Sequence, residues 1–174
     1  MIQIIKADIE DIGSIHDMAE VVFRHTYRDI LSADQIDYMM DWMYSHASLK
    51  KQLAEGHVYY IAFRDSVPCG YVSVQPDGTN EEGRLLFHLQ KIYVLPSEQG
   101  TGIGRMLFDT VLNHIHEAVA DHPAAIELNV NRNNPAIGFY RHLGFRILRQ
   151  GDFHIGHGFY MNDYIMGLDC QQDL

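Results

Sequence analysis

The segment that most constrains the fold is a long strand, a glycine-rich turn and a helix in direct succession. Leu85 to Leu95 reads as a strand, with alternation that places His88, Gln90 and Ile92 on one face and Leu89, Lys91 and Tyr93 on the other. Gln99-Gly100-Thr101-Gly102-Ile103-Gly104 follows. A helix then runs over about 103–118, with the apolar stripe Ile103, Met106, Leu107, Val111, Leu112 and Ile115. The next strand, Ala125 to Val130, completes a right-handed crossover between parallel neighbours. On either side lie hairpin signals. His57 to Phe63 and Cys69 to Gln75 flank the turn Arg64-Asp65-Ser66, and Phe145 to Gln150 precedes Phe159 to Leu168. With a first strand at residues 2–5, these segments predict an α/β fold on a mixed sheet of about seven strands, mostly antiparallel.

The remaining segments fit that plan. Ile12, Ile15, Ala19 and Val22 mark a first helix. Ser32 with Gln35 has the spacing of a capping box and opens a second, whose apolar side is Ile36, Met39, Met40 and Met43. A short helix over residues 48–55 ends at Gly56, and residues 76–83 read as a polar loop. Asn134 and Pro135 read as the cap and first residue of a helix running to His142. At 174 residues the chain is expected to be a single domain, 1–174.

Charge narrows the partners. Thirteen Lys and Arg against 23 Asp and Glu leave a net charge of −10. Such a surface repels a phosphate backbone and an anionic membrane, so neither nucleic acid nor membrane is expected as a partner. Cations are favoured instead. The two cysteines, Cys69 and Cys170, are too few and too far apart for a disulfide framework. The N-terminus meets acids before any apolar stretch of signal-peptide length, so a cytoplasmic location is expected. Eleven histidines raise the question of a metal, but no HExxH or close Cys/His set occurs and no metal is expected.

Glycines between a strand and a helix N-terminus let the backbone approach a ligand and aim free N–H groups at it. The helix dipole adds positive potential, so the turn suits a phosphate or pyrophosphate. No Gly-Lys-Ser/Thr follows, so it is not a Walker loop, and the sixth position of GxGxxG is Arg105 or Leu107. Alone, the segment is equally a glycine-rich turn without a ligand.

Downstream stand Asn133-Asn134-Pro135-Ala136 and Phe139-Tyr140, then Gly144-Phe145. With Gln99, Gly102 and Gly104 in the pattern Q/R-x-x-G-x-G/A, and Ile92-Tyr93-Val94 before it, the chain resembles the GCN5-related N-acetyltransferase (GNAT) superfamily. Phe23-Arg24-His25-Thr26-Tyr27, Gly70-Tyr71-Val72 and the tail around Asp163-Tyr164-Ile165-Met166 are similar to its PaiA-type branch of polyamine N-acetyltransferases. The resemblance implies a GNAT fold with helices on both faces of the sheet, and transfer of acetyl from acetyl-CoA to a primary amine, a polyamine first. It implies that Ile92, Tyr93 and Val94 hold the pantetheine. Gln99, Gly100, Thr101, Gly102, Ile103 and Gly104 would hold the pyrophosphate, and Asn133 would contact CoA.

The chemistry needs a base for the amine, whose pKa is about 10 when free, and an acid for the departing thiolate. Tyr140 matches the superfamily tyrosine that protonates the CoA sulfur. Many relatives carry glutamates on the long strand where this chain has His88 and Gln90. Glutamine cannot take a proton, so His88, directly or through a water, is the candidate base, with a purely structural strand histidine as the alternative. Tyr27, Tyr38 and Trp42 on the N-terminal helices are candidates to bind the acceptor, offering aromatic faces to a cation. Asp163 is a further candidate acid. Other readings are a protein N-terminus or amino sugar as acceptor, or a non-catalytic acyl-CoA-binding regulatory module. Dimers are frequent in the superfamily, so a homodimer is an open expectation.

Overall fold

The computed structural model describes residues 1–170, and the last four residues of the expected domain lie outside them. The strands are β1 (Ile2–Lys6), β2 (Val58–Arg64), β3 (Val67–Thr79), β4 (Leu85–Val94), β5 (Ala124–Asn131), β6 (Arg146–Gly156) and β7 (Phe159–Cys170). The helices are α1 (Ile12–Tyr27), α2 (Ala33–Tyr44), α3 (His46–Ala54), α4 (Ile103–Val119) and α5 (Ile137–His142). The sheet has seven strands in the order β1-β2-β3-β4-β5-β7-β6. Only β4 and β5 pair in parallel, across the α4 crossover.

Each face of the sheet carries its own core. On one, Leu107, Val111 and Ile115 of α4 are fully buried against Val72, Leu89 and Ile126. On the other, Ile15, Phe23, Met40 and Leu49 of the N-terminal helices cover Tyr59, Ile61 and Tyr71. Burying one such aliphatic side chain contributes about 1.5–3 kcal/mol, which is why both helical layers are held tightly. Gly70 on β3 permits a close approach. A Cβ there would meet the Tyr93 carbonyl oxygen at 2.9 Å and Leu107 at 3.3 Å.

Several expected boundaries move. β3 continues through Pro76 to Thr79 because its ladder with β4 persists past an irregularity at Pro76, so the expected loop at 76–83 shrinks to a turn. β6 extends to Gly156, six residues beyond the expected Gln150, because β7 pairs with it along its length. Ser32 caps α2 by accepting from the Gln35 N–H at 3.1 Å. The return half of the expected capping box does not form, since the Gln35 amide donates to the Tyr160 carbonyl at 2.7 Å. α5 begins at Ile137 rather than at 135, while the Asn134 side chain accepts from the Ala136 N–H at 2.8 Å.

A β-bulge at Gln90 corrects the expected faces of β4. Ser73 pairs with Lys91 and Val74 with Leu89, so Gln90 has no partner on β3. Beyond the bulge the alternation is inverted. Leu89 and Ile92 share the α4 face, whereas Lys91 joins Tyr93 beneath the N-terminal helices.

Lys91 is 9% exposed. Its ammonium donates to Gln52 Oε1 at 3.0 Å, to the Tyr59 hydroxyl at 2.5 Å and to the Met43 carbonyl at 3.5 Å, and lies 4.3 Å from the Tyr44 ring centroid. These contacts tie β4 to the end of α2 and to α3. Burial lowers the Lys91 pKa to about 7.

Two predictions follow from these backbone and burial features. Between pH 7 and 9 the unfolded chain holds a proton at Lys91 that the folded chain has lost, so stability should rise with pH by roughly 2 kcal/mol over that window. Denaturant titrations of Lys91→Met should lack this rise, and the same rise in the variant would assign it to another group. Gly102, at φ +86°, lies in the left-handed region. Gly102→Ala should cost about 1–2 kcal/mol, read as a fall in Tm.

Candidate active site

The site arises where β4 and β5 part. They pair only from Leu85↔Ala124 to His88↔Glu127. Beyond that point β4 stays with β3 as far as Val94, and β5 stays with β7 as far as Asn131. The bulge at Gln90 bends β4 away. The β5-facing edge of β4 past His88 therefore has no strand partner, and near its end the Val94 carbonyl accepts from the Gln99 side-chain amide at 3.4 Å.

A cleft of about 650 Å³ opens there. Its walls include Ile92, Tyr93 and Val94 from β4, Gln99, Gly100, Gly102, Ile103 and Gly104 from the glycine turn, and Tyr140 from α5. These expected residues are thus brought together. Thr101 is not part of the lining, and its hydroxyl donates to the Glu98 carbonyl at 2.5 Å, closing the turn. Gly102 caps α4, whose 17 residues aim their N-terminal N–H groups at one end of the cleft. A Cβ on Gly104 would sit 3.1 Å from the Phe139 ring, so glycine lets α4 and α5 approach.

Asn134, not Asn133, lines the cleft. The Asn133 N–H donates to Asn131 Oδ1 at 2.9 Å within the turn. The Asn134 amide donates to the Tyr27 hydroxyl at 3.2 Å. His25, Thr26, Arg105 and Phe139 also line the cleft and were missed in the sequence. Arg105 follows the motif directly and puts a cation on the first turn of α4. His25 and Thr26 precede Tyr27 at the end of α1, and nothing local in the sequence announces that this helix end reaches the cleft.

Tyr140 is 9% exposed. Burial, and secondarily Tyr27, raises its phenol pKa, so it stays protonated and able to donate at neutral pH. His88 lies outside the cleft lining, at the vertex where the strands part. Burial lowers its pKa, while Asp77 and Glu127 act in the opposite sense. Asp163 is 2% exposed, and burial raises its pKa to about 6. Its carboxylate accepts from the Asn129 amide at 3.4 Å. Among the described residues no group of three His, Cys, Asp or Glu side chains is placed to hold a metal.

The acceptor candidates disperse. Tyr27 is buried between Asn134 and Tyr93, behind the residues that line the cleft, rather than presented as an open platform. The Tyr38 hydroxyl donates to the Ile155 carbonyl at 2.5 Å, and its ring meets His157 and Phe159, so it fastens α2 to the β6–β7 hairpin. Trp42 is 47% exposed and outside the cleft. A place on the N-terminal helices does not reveal that the distant hairpin occupies Tyr38.

The fold is shared with solved structures. PaiA N-acetyltransferase from Thermoplasma acidophilum, in complex with coenzyme A, superposes with a TM-score of 0.76 at 22% identity, covering 96% of this chain and 98% of that one. The protein yncA of Salmonella typhimurium, solved with its cofactor acetyl-CoA, gives a TM-score of 0.66 at 18% identity, covering 100% and 96%. No curated protein matches the chain. No helix among the described residues is long and apolar enough to cross a membrane. Residues 55–147 match the acetyltransferase (GNAT) domain family and carry the splayed strands, the glycine turn and α4; the chain belongs to this family of acetyltransferases.

Proposed function

We propose that the protein transfers the acetyl group of acetyl-CoA directly to the primary amine of a small cationic acceptor, a polyamine in the first instance. The observation that carries this reading is the cleft itself. It runs along β4 past the point where β5 leaves it, facing the turn that follows β5 and α5, with the N-terminus of α4 at one end and the Tyr140 phenol on its wall. When bound, acetyl-CoA supplies an acyl group activated as a thioester.

The residues divide the work by position. N–H groups from Gly100 to Gly104 and the start of α4 hold the pyrophosphate, with Arg105 beside them. The freed edge of β4 at Ile92, Tyr93 and Val94 holds the pantetheine, and an amide there faces the carbonyl oxygen that gains charge. His88, which stands outside the cleft lining, takes the proton of the amine through a water. Tyr140 gives its proton to the departing sulfur. The neutral amine forms the C–N bond as the C–S bond breaks.

The preference for a polyamine is supported by the net charge of −10 and by Asp77, Glu127 and Asp163 among the acids of the central strands. The overall likeness to the Thermoplasma PaiA structure agrees with it. Such a protein is expected to work in the cytoplasm.

CoA release from acetyl-CoA should be measured across polyamines, peptides and aminoglycosides. Turnover highest with a polyamine is expected, and tight acetyl-CoA binding without turnover on any amine would leave a binding module instead. Tyr140→Phe should lower kcat by about 10² or more with acetyl-CoA affinity unchanged. A large loss of affinity would make Tyr140 structural. His88→Ala should slow turnover most near neutral pH, and an unaltered pH–rate profile would remove it as the base.

A further inference from the structure

His88 is the last residue of β4 to pair with β5, and its partner in the register is Glu127. Neighbouring strands lie about 4.8 Å apart, and paired residues of parallel strands project to the same face. The two side chains are therefore adjacent at the vertex of the splay, on the face covered by the N-terminal helices. Glu127 is held from its other side by Arg149, whose Nη2 donates to Oε1 at 2.6 Å. The Glu127 side chain is only 16% exposed, so water screens it weakly. An imidazole on β4, an acid on β5 and a cation on β6 thus lie in a row, with Arg149 reaching across the intervening β7.

We propose that Glu127 is the positioning residue for His88: a carboxylate on the neighbouring strand, clamped by Arg149, that stabilises the imidazolium formed when His88 takes the amine proton. This rests on His88 acting as the base in the proposed reaction. The N–H bond of the ammonium breaks, its proton passes to a water, and that water gives a proton to form an N–H bond on His88. The freed electron pair attacks the acyl carbon, and Glu127 stays ionised throughout. The imidazolium then returns its proton to water. The arrangement places on β5 the negative charge that Gln90 cannot supply from β4.

The other groups that face His88 are few. Asp77 acts on it from β3 in the same sense as Glu127, and His57, just before β2, is close enough to interact with it. Burial opposes both carboxylates. Arg149 reaches His88 only through Glu127, which gives the proposal two tests of opposite sign.

The test is the protonation midpoint of His88, followed by imidazole NMR in the full chain, beside the acid limb of kcat/KM for the amine. In Glu127→Gln both should move to lower pH by about one pH unit, because a neighbouring negative charge is lost. In Arg149→Met both should move to higher pH, because the carboxylate is no longer neutralised. Glu127→Asp should keep a midpoint close to that of the unaltered protein and so separates charge from folding. Acetyl-CoA affinity should be the same in all four proteins. Midpoints that stay put in Glu127→Gln, or move the same way in Glu127→Gln and Arg149→Met, overturn the proposal. Opposite NMR shifts in a protein that turns over no amine would support the pairing and overturn the acetyl-transfer reading instead.

Discussion

The parting of β4 from β5 is the constraint on which the rest of the site depends. A sheet satisfies its backbone by continuous pairing, and an unpaired interior edge is costly when nothing occupies it. Here the two halves of the sheet meet only over Leu85–His88 and Ala124–Glu127. Each half is otherwise complete, with β4 secured by β3 and β5 by β7. On one face α4 packs on β4 and on the strands β1 to β3 beside it. On the other face β4 is anchored by Lys91, bound to the end of α2 and to α3. The bulge at Gln90 joins these effects, since it both bends the strand and turns Lys91 into the helical layer.

Electrostatics acts on two scales. The chain carries a net charge of −10, which attracts a cationic acceptor and repels an anionic cofactor. In the proposed reaction the cofactor end of the cleft consequently uses fixed local donors, the N-terminus of α4 and the glycine-turn amides, with Arg105, ion-paired to Asp109, beside them. These act at contact distance, where the field of the whole surface matters less. The acidity that argues against a nucleic-acid partner therefore accords with the proposed reaction, in which the cleft takes an anion at one end and admits an amine.

Much of the fold was legible because its signals are local. The α4 stripe, the glycine turn and the strand alternation each announce one element, and their order yields the single parallel pair. The glycine motif also located one end of the cleft, because backbone N–H groups serve a ligand wherever the turn sits. Side-chain placements were less legible. Simple alternation on β4 takes no account of the bulge, so it groups Lys91 correctly with Tyr93 but wrongly with Leu89, which faces α4. Tyr38 was read as open to an acceptor, although its hydroxyl is taken by Ile155, 117 residues away. Asn133 and Asn134 are chemically identical, and only the turn decides which one faces the cleft.

The sequence by itself determined the elements, their order and the residues of the glycine turn, since these depend on periodicity and on where glycine frees the backbone. Tertiary structure alone decided how far β4 and β5 pair and which phenols are buried rather than open platforms. It also decided that Glu127 stands beside His88. Those outcomes depend on register and on packing between segments distant in the chain, where a shift of one residue, such as the bulge at Gln90, sends a side chain to the opposite face.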